Sequence, residues 1–526
     1  MNQTTIFDFI YPKYKITKPI RLIELFAGYG SQALALKYLG VKFEHWKICE
    51  WAVKSIQAYK DMHFTDEKEI DIDSTKEQLV ECLFKYGISA NYNEPMTKEQ
   101  ISRLSESQLK TIWNNILITY NLVNIQQVKG EDLEIVDTDK YDYIMCYSFP
   151  CQDLSLAGKG KGMADITTRS GMLWEVERIL NELKELNQLP QILLMENVPQ
   201  VHGSDNVEHF NKWQLALENM GYKSYFQDII ATDYGIPQTR NRCFMVSILG
   251  DYSYTFPPKQ KLKLKLKDML EDEVDEKYYL SDRQIKDIQS WNAYEKPLEN
   301  MEKIDKTNIS PTLTTRSGAY AAGMILIKNA TKKGYLEATD GDGIDISSRM
   351  KHHRGNVQKD KIQTLTTSGG NDRGVCVGTY QYAKSDKFMN GKDRLQLGKE
   401  VSDTLQTTQK EGIVTIGNYS KSNHNASRIV DKNYSAPTVM ENHGTITAIQ
   451  SNDLRIRKLT PLECFRLMGV KDEDYYKVAK NQSNSSLYHL AGDSIVVNVL
   501  MAIFGELLDV NWIEKIKEIE NKFIDK

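Results

Sequence analysis

The chain has 526 residues, of which 40% are hydrophobic and 26% are charged, and this length predicts several globular domains. Seven irregularly spaced cysteines without a Cys-x-x-Cys pair argue against a disulfide scaffold or a zinc cluster, so we expect a cytoplasmic protein without a metal. No apolar run reaches the length of a membrane span, and the N-terminus lacks a signal-peptide pattern. The net charge of −4 does not indicate a nucleic-acid-binding protein, but residues 301–450 carry an excess of basic side chains that suits an acidic polymer.

The first part of the chain has the pattern of a nucleotide-binding fold. Residues 20–26 predict a parallel strand, and a turn with the spacing G-x-G-x-x-A follows at 28–33, before a helix that ends at Leu39. Glu50 comes about 20 residues later, after a second predicted strand, where a carboxylate would bind ribose hydroxyls. Trp51 beside it would stack on adenine or pack in the core. This pattern alone fits any adenosine-containing cofactor, NAD and S-adenosylmethionine alike.

Residues 52–128 are longer than an ordinary connection between a strand and a helix. Their apolar pattern predicts two amphipathic helices, at 96–110 and 111–123. We therefore expect an insertion at the edge of the sheet with a structural role. Asp132, just beyond it, is a candidate partner for an adenine amino group, and a plain surface charge is the alternative.

A thiol and a carboxyl group follow two further predicted strands. The apolar run 141–147 predicts a buried strand, and Cys151 follows it directly after a proline. A helix at 172–186 leads to a second strand, 191–195, which ends at Glu196. In an open α/β sheet, ligands bind beyond the carboxyl ends of the strands, so the two groups are expected at one crevice. Arg240 and Arg242 precede another apolar run and would project to the same side of an extended segment.

Taken in this order, the motifs resemble those of the DNA cytosine-5 methyltransferase family. The segments that carry the resemblance are Phe26-Ala27-Gly28-Tyr29-Gly30, Glu50-Trp51, Pro150-Cys151-Gln152, Glu196-Asn197-Val198, Gln238-x-Arg240-x-Arg242, Arg457-Lys458-Leu459-Thr460-Pro461 and Gly492-Asp493-Ser494. The resemblance covers residues 20–250 and 455–505. Two positions depart from the family pattern, which usually has Gly in place of Ser148 and Asn in place of Asp493.

The resemblance implies an α/β protein, a Rossmann-like S-adenosylmethionine-dependent methyltransferase domain with a smaller β-rich target-recognition domain. It implies methyl transfer to C5 of a flipped-out cytosine in a specific duplex DNA sequence, through a covalent bond between Cys151 and C6. Glu196 would supply a proton to N3, and Arg242 with Arg240 would hold the base and the glutamate. The expected cofactor-binding residues are Phe26, Gly28, Tyr29, Gly30, Glu50, Trp51, Asp132, Leu133, Pro150, Met172, Asp493 and Ser494. The expected DNA-binding residues are Gln152, Ser155, Arg169, Gln238, Arg316, Arg354 and Arg373.

The expected domain boundaries follow from the motif order. The catalytic domain would comprise 1–255, with the insertion at 60–128, and would resume at 471–526 after a joining helix at 455–470. Residues 256–454 would form the target-recognition domain. In this region a Thr-Leu-Thr-Thr motif recurs, at 311–316, 363–368 and 403–408 and more faintly at 437–440, which predicts stacked β-hairpin units. Gly492-Asp493-Ser494 would open a final helix at 495–504.

Two other functions remain open from the sequence alone. The same chemistry on RNA is the nearest alternative, although a long recognition region favours double-stranded DNA. A nicotinamide-dependent oxidoreductase would explain the glycine turn and Glu50, but it leaves Cys151, Glu196 and the two arginines without a role. A DNA-binding protein that has lost catalysis is disfavoured by the intact Cys151 and Glu196. We expect a monomer without a membrane partner, and the resemblance allows a cognate restriction enzyme.

Overall fold

The computed structural model describes residues 11–150, 169–279 and 453–524. It also describes the short segments 325–328, 335–338, 342–345, 356–362, 373–379, 415–418, 428–431 and 448–450. The chain divides into two compact units. The first comprises 1–273, 361–372 and 459–526, and the second comprises 274–360 and 373–458.

A six-stranded sheet forms the centre of the first unit. Its strands are β1 Ile20–Leu25, β2 Phe43–Cys49, β3 Asp142–Tyr147, β4 Ile192–Asn197, β5 Tyr222–Ile230 and β6 Asn241–Leu249. The spatial order is β2-β1-β3-β4-β6-β5, with β1 to β4 parallel and β6 antiparallel to both of its neighbours. The sheet is therefore doubly wound, as expected, and the order reverses beside β1, where ligands bind in such folds.

Helices cover both faces of this sheet and form the insertion. They are α1 Ser31–Leu39, α2 Val53–His63, α3 Lys76–Tyr86, α4 Lys98–Ser102, α5 Glu106–Ile118, α6 Leu173–Glu185 and α7 Val207–Asn219, and, after the second unit, α8 Pro461–Arg466, α9 Asp472–Ala479, α10 Asn484–Asp493, α11 Val497–Leu508 and α12 Trp512–Ile524. The main core lies between the sheet and helices α6 and α7 and is built from side chains such as Met145, Leu180 and Trp213. Apolar burial of this extent is the main source of stability of such a domain.

The insertion has a small hydrophobic core of its own, which includes Leu83, Leu109 and Ile116. The helices expected at 96–110 and 111–123 are replaced by α4 and α5, because Ser105 starts a new helix inside the first predicted one. Its hydroxyl accepts a hydrogen bond from the Gln108 N–H, and the Gln108 side chain accepts one from the Ser105 N–H. Such a capping box satisfies two N–H groups that the helix leaves without partners, which fixes its first residue.

The C-terminal helices also differ from the sequence expectation. Residues 453–458 form a strand, so the helix expected over 455–470 begins only at Pro461, after the Thr460 cap. The helix expected at 495–504 is α11, and it is not the last one, since α12 follows. The stretch Asn484–Leu508 is long and apolar enough for a membrane span, but 89% of its most apolar window is buried inside the fold. It contains α10 and α11 and packs as core.

The second unit consists mainly of β-strands where it is described, with a short 3-10 helix at Glu276–Tyr278. The strands are β7 Ile325–Lys328, β8 Tyr335–Ala338, β9 Gly343–Asp345, β10 Val357–Gln358, β11 Arg373–Thr379, β12 Thr415–Asn418, β13 Arg428–Asp431, β14 Ala448–Gln450 and β15 Asp453–Lys458. They pair as a four-stranded sheet in the order β10-β9-β11-β15, a three-stranded sheet β12-β13-β14 and a β7-β8 pair. The four repeated threonine motifs lie outside the described residues.

Glu24 is a fully buried carboxyl group beneath helix α1. It accepts hydrogen bonds from the Tyr59 hydroxyl at 2.5 Å and from the Ala33 N–H at 3.3 Å. Burial raises its pKa to about 7, although both hydrogen bonds act in the opposite direction. The folded state thus holds this proton more tightly than the unfolded chain. The stabilisation that results is complete below the ordinary value of 4.5 and is lost as the pH rises through about 7.

Replacing Glu24 by glutamine therefore stabilises the protein at pH 8, by up to about 3 kcal/mol, and gives little gain at pH 5. Urea unfolding midpoints of the two proteins at both pH values measure this difference. Glu67→Gln, at an exposed position, is the matched control. An equal shift of the Glu24→Gln midpoint at pH 5 and pH 8 would contradict the assignment.

Candidate active site

A cavity of about 440 Å³ opens at the carboxyl ends of β1, β2, β3 and β4 in the first unit. Eight of the twelve predicted cofactor-binding residues line it. They are Phe26, Gly28, Glu50, Trp51, Pro150, Met172, Asp493 and Ser494. Glu196, Arg240 and Arg242 line the same cavity. Eight residues expected to bind a cofactor and three of the four residues expected to perform chemistry therefore share one space, of a size typical for small-molecule sites.

Glu50 hydrogen-bonds to the turn that follows β1. One carboxylate oxygen accepts a hydrogen bond from the Gly28 N–H at 3.0 Å, and the other accepts one from the Ala52 N–H at 2.8 Å. Burial raises the pKa of Glu50 to about 7, against the effect of these two bonds. Glu50 thus ties the end of β1 to the end of β2, and a carboxylate can accept about four hydrogen bonds, so it can still accept one from a ligand.

Tyr29 and Gly30, also expected at the cofactor, are not among the lining residues. Tyr29 is buried, because its ring stacks on Phe465 with centroids 5.3 Å apart and its hydroxyl donates to the Ser494 hydroxyl at 2.9 Å. Gly30 has a φ of +82° and starts helix α1. Both residues shape the turn, and Tyr29 links it to the segment between α10 and α11.

Gly30→Ala is expected to weaken cofactor binding and to lower stability. Alanine is strained at this φ, and its Cβ would lie 2.6 Å from the Tyr59 ring and also clash with His63. We expect a loss of about 1–3 kcal/mol in unfolding free energy, measured by urea denaturation. Gly40→Ala is a matched control with a similar φ of +75° and open space around it, so strain alone should cost less there. Equal losses in the two variants would contradict the steric argument.

Glu196 is the second-last residue of strand β4, and it forms an ion pair with Arg242, the second residue of β6. The Arg242 Nε lies 3.2 Å from a Glu196 oxygen, and the backbone of Glu196 lies opposite Phe244 of β6. Only 7% of Glu196 is exposed. Burial raises its pKa, and the charges of Arg242 and Arg240 oppose the rise without cancelling it. A carboxyl group in this state keeps its proton to a higher pH than a surface glutamate does, which suits a proton donor.

Arg240 is anchored by the far end of the chain. It is 4% exposed, and its Nη2 donates to the Ser494 carbonyl at 2.7 Å. Arg242 in turn donates through Nη1 to the Asn241 carbonyl at 2.8 Å. The two guanidinium groups therefore reach the cavity with backbone partners that limit their movement, as the expected positioning role requires.

The ends of strands β3 and β4 are tied together next to the predicted nucleophile. The Asn197 side chain donates to the Phe149 carbonyl at 3.0 Å, and its oxygen accepts from the Val198 N–H at 2.8 Å. Ser148, Phe149 and Pro150 all line the cavity. The chain thus runs along this cavity up to the residue before Cys151.

Three predicted site residues have other roles in the structure. Asp132 accepts a hydrogen bond from the Lys129 N–H and so caps its own turn, and it does not line the cavity. Leu133 is fully buried in the main core. Gln238, expected at DNA, is also fully buried, because its amide donates to the Leu467 carbonyl at 2.7 Å. Its polar group is therefore used inside the fold.

Several lining residues were not predicted from the sequence. They are Val123, Asn124, Ile125 and Gln126 at the end of the insertion, Tyr92, Asn93, Glu94 and Pro95 within it, and His489 and Leu490 in α10. Segment 123–126 thus lines the cavity, whereas Asp132, the residue expected from this part of the chain, does not. Tyr92 has a φ of +64°, an uncommon value for a residue other than glycine, and this was not visible in the sequence pattern.

The structure does not describe the remaining predicted residues, or describes only their backbone. Cys151, Gln152, Ser155, Arg316 and Arg354 lie outside the described residues. For Arg169 and Arg373 only the backbone is described, and Arg373 begins strand β11, opposite Asp345 of β9.

One group of metal-ligand side chains does come together, away from the cavity. His202, Asp228 and Cys243 have ligand atoms within 4.8 Å of one another. His202 and Asp228 already pair at 2.9 Å, and the thiol is fully buried with a pKa raised by burial. A metal binds the deprotonated thiolate, and burial keeps the Cys243 thiol protonated. We therefore interpret the group as a polar contact beside the main core.

The comparison with known proteins gives the family. Residues 106–509, more than half of the chain, match the model of the C-5 cytosine-specific DNA methylases. The type II methyltransferase M2.ScrFI of Lactococcus lactis subsp. cremoris is 35% identical over 51% of this chain and 72% of its own length. The orphan methyltransferase M.SssI of Spiroplasma monobiae is 29% identical, over 76% and 94% respectively, and the orphan methyltransferase M.SPRI of Bacillus phage SPR is 27% identical, over 73% and 87%.

The matched range contains Glu196, Arg240, Arg242 and the C-terminal segment around Asp493. Three observations are consistent with one family. They are the cavity at the strand ends, the buried glutamate with its arginine partner, and the match over most of the sequence. The chain belongs to the family of C-5 cytosine-specific DNA methylases and is a DNA (cytosine-5-)-methyltransferase.

Proposed function

We propose that the protein methylates a flipped-out cytosine within a specific duplex DNA sequence, through a transient covalent bond between Cys151 and C6 of the base. The observation that carries the proposal is the shared cavity, which holds Glu196 with its raised pKa and the residues that lead directly to Cys151. A base stacked in a duplex hides both of its faces, so it must leave the helix to reach such a site, at a cost of a few kcal/mol.

The lining residues fit S-adenosylmethionine. Trp51 and Phe26 offer aromatic surface for adenine, and Glu50 offers carboxylate lone pairs for ribose hydroxyls. The turn at Gly28 brings backbone close to the ligand, and Ser31 and Gln32 at the start of α1 also line the cavity. When bound, the cofactor supplies an electrophilic methyl group on a positively charged sulfur.

The protein's own groups would make the base reactive. The thiolate of Cys151 forms a bond to C6 while the Glu196 carboxyl gives its proton to N3, so negative charge does not accumulate on the ring. The addition moves the double bond from C5–C6 to C4–C5, and C5 of this enamine forms a bond to the methyl group as the methyl–sulfur bond breaks. Loss of the C5 proton to a base then restores the double bond and expels the thiolate, and N3 returns its proton to Glu196. Arg242 keeps the carboxyl group oriented through the 3.2 Å ion pair.

The domain boundaries and the DNA contacts belong to the same proposal. We propose that 256–454 contains the target-recognition domain and that Arg316, Arg354 and Arg373, with Gln152, Ser155 and Arg169, contact DNA. We further propose action as a cytoplasmic monomer. Transfer of labelled methyl groups to duplex DNA, followed by bisulfite sequencing, tests the proposal and identifies the site. Methylation of transfer RNA in place of DNA would overturn it.

A further inference from the structure

Asp493 places a carboxylate on the cavity wall at the end of helix α10. It lines the cavity, and 52% of its side chain is exposed, whereas its neighbours Gly492 and Ser494 are buried. The contact between its carboxylate and His489 Nδ1 is long, at 3.5 Å, and exceeds the usual length of a hydrogen bond. The carboxylate is therefore held near His489 and still has oxygen lone pairs available for a ligand.

This carboxylate lies within the electrostatic reach of both ends of the cavity. Burial is the main cause of the raised pKa of Glu50, at the cofactor end, and of Glu196, at the catalytic end, and the charge of Asp493 adds to each rise. Desolvation by the cavity walls also raises the pKa of Asp493, although part of its side chain is exposed, and the charges of His489, Arg240 and Arg242 oppose this rise. Asp493 is thus an acidic group whose charge couples to both halves of the cavity. A positive charge bound between Glu50 and Glu196 would also interact with Asp493.

The insertion supports this arrangement. The rings of Tyr92 and His489 meet edge to face with centroids 3.8 Å apart. Tyr92 is held in its left-handed conformation by a turn in which the Asn91 side chain accepts hydrogen bonds from the Asn93 and Glu94 N–H groups, at 3.0 and 3.2 Å. A residue in a sparsely populated conformation next to a ligand cavity persists because its surroundings fix it. Tyr92 therefore restrains His489, and through it Asp493.

We propose that Asp493 is a specificity-determining residue that favours the positively charged methyl donor over its uncharged thioether product, S-adenosylhomocysteine. The inference rests on the proposed function, because it assumes that the donor occupies this cavity. Donor and product share the adenosine, the ammonium and the carboxylate groups, and they differ in the sulfonium charge. A nearby carboxylate attracts that charge and has no such interaction with a thioether. Its presence thus helps the product to leave after each turnover.

The test is a comparison of three ligands with the full-length protein and its Asp493→Asn variant, by calorimetry. S-adenosylmethionine carries a sulfonium, sinefungin carries an ammonium group at the equivalent position, and S-adenosylhomocysteine carries a neutral sulfur. Asparagine keeps the shape of the side chain and is the usual residue of the family. We expect the dissociation constants of the two cationic ligands to rise by about three- to tenfold, and that of S-adenosylhomocysteine to change less than about twofold.

Asp509→Asn is the matched control, because it removes one negative charge at a residue that pairs with Lys15 and does not line the cavity. It should leave all three constants unchanged. Equal weakening of the three ligands by Asp493→Asn, or no weakening of any, would overturn the inference and leave the proposed function standing. Failure of the unaltered protein to bind S-adenosylmethionine would overturn both.

Discussion

Replacing Cys151 by alanine is expected to lower methyl transfer to duplex DNA by at least about a thousandfold. Without the sulfur no bond to C6 forms, and C5 of cytosine stays a poor nucleophile, whatever the other groups in the cavity do. The measurement is the incorporation of labelled methyl groups from S-adenosylmethionine into DNA. Binding of S-adenosylmethionine should be nearly unchanged, since the proposed role of the thiol is toward C6 of the base and not toward the cofactor.

A matched control is Cys82→Ala, which removes a partly buried free thiol from helix α3. This residue does not line the cavity. It should retain the activity of the unaltered protein. A second readout is specific to the covalent step. DNA with 5-fluorocytosine at the target should trap the unaltered protein, because a base cannot remove fluorine from C5 as it removes a proton, and the thiolate is then not expelled. The same DNA should not trap Cys151→Ala. Normal turnover by Cys151→Ala would refute the covalent mechanism.

Replacing Glu196 by glutamine is expected to lower the rate of methyl transfer by about 10² to 10⁴-fold, the usual contribution of a positioned acid. Glutamine keeps the size of the side chain and a hydrogen-bond acceptor for Arg242, but it cannot give a proton to N3. Single-turnover rates measured with saturating DNA separate this loss of chemistry from a loss of binding.

The pH profile gives a sharper test of the same residue. Burial raises the pKa of Glu196, and the proposed role requires its protonated form. As the pH rises past this raised pKa, the acid loses its proton and the rate of the unaltered protein falls. Glu196→Gln should lack this descending limb. If the limb persists in the variant, another group must be the acid, and the assignment to Glu196 fails.

The fold could be predicted from the sequence where apolar residues recur with a clear period and where glycine or proline marks a turn. Strands β1, β3 and β4 and helix α6 lie within a few residues of their predicted limits, and helix α1 ends at Leu39 as expected. The prediction for the insertion is wrong because the amphipathic pattern continues across Ser105, although the Ser-x-x-Gln signal that starts α5 is present in the sequence. The C-terminal helices shifted because the strand β15 uses residues that were assigned to a helix.

The candidate site was predictable where a residue follows a strand at the carboxyl edge of the sheet. Glu50, Pro150 and Glu196 obey this rule, and the structure brings them to one cavity. Residues that reach the cavity by long-range packing were not predictable. Tyr92 arrives from the insertion and His489 from α10, and neither position follows from local spacing. Gln238 was expected to contact DNA, but the structure buries its side chain against the Leu467 carbonyl. That partner lies 229 residues further along the chain, so local spacing does not reveal it.

The two ends of the first unit meet, and this has a consequence for biosynthesis. The Ile16 N–H donates to the Leu507 carbonyl at 2.8 Å, and the wall around Asp493 and Ser494 is synthesised after most of the other residues that line the cavity. A nascent polypeptide that has not yet emerged from the ribosome beyond α11 lacks one side of this cavity. Premature termination anywhere before that point should therefore release fragments that are inert toward the genome.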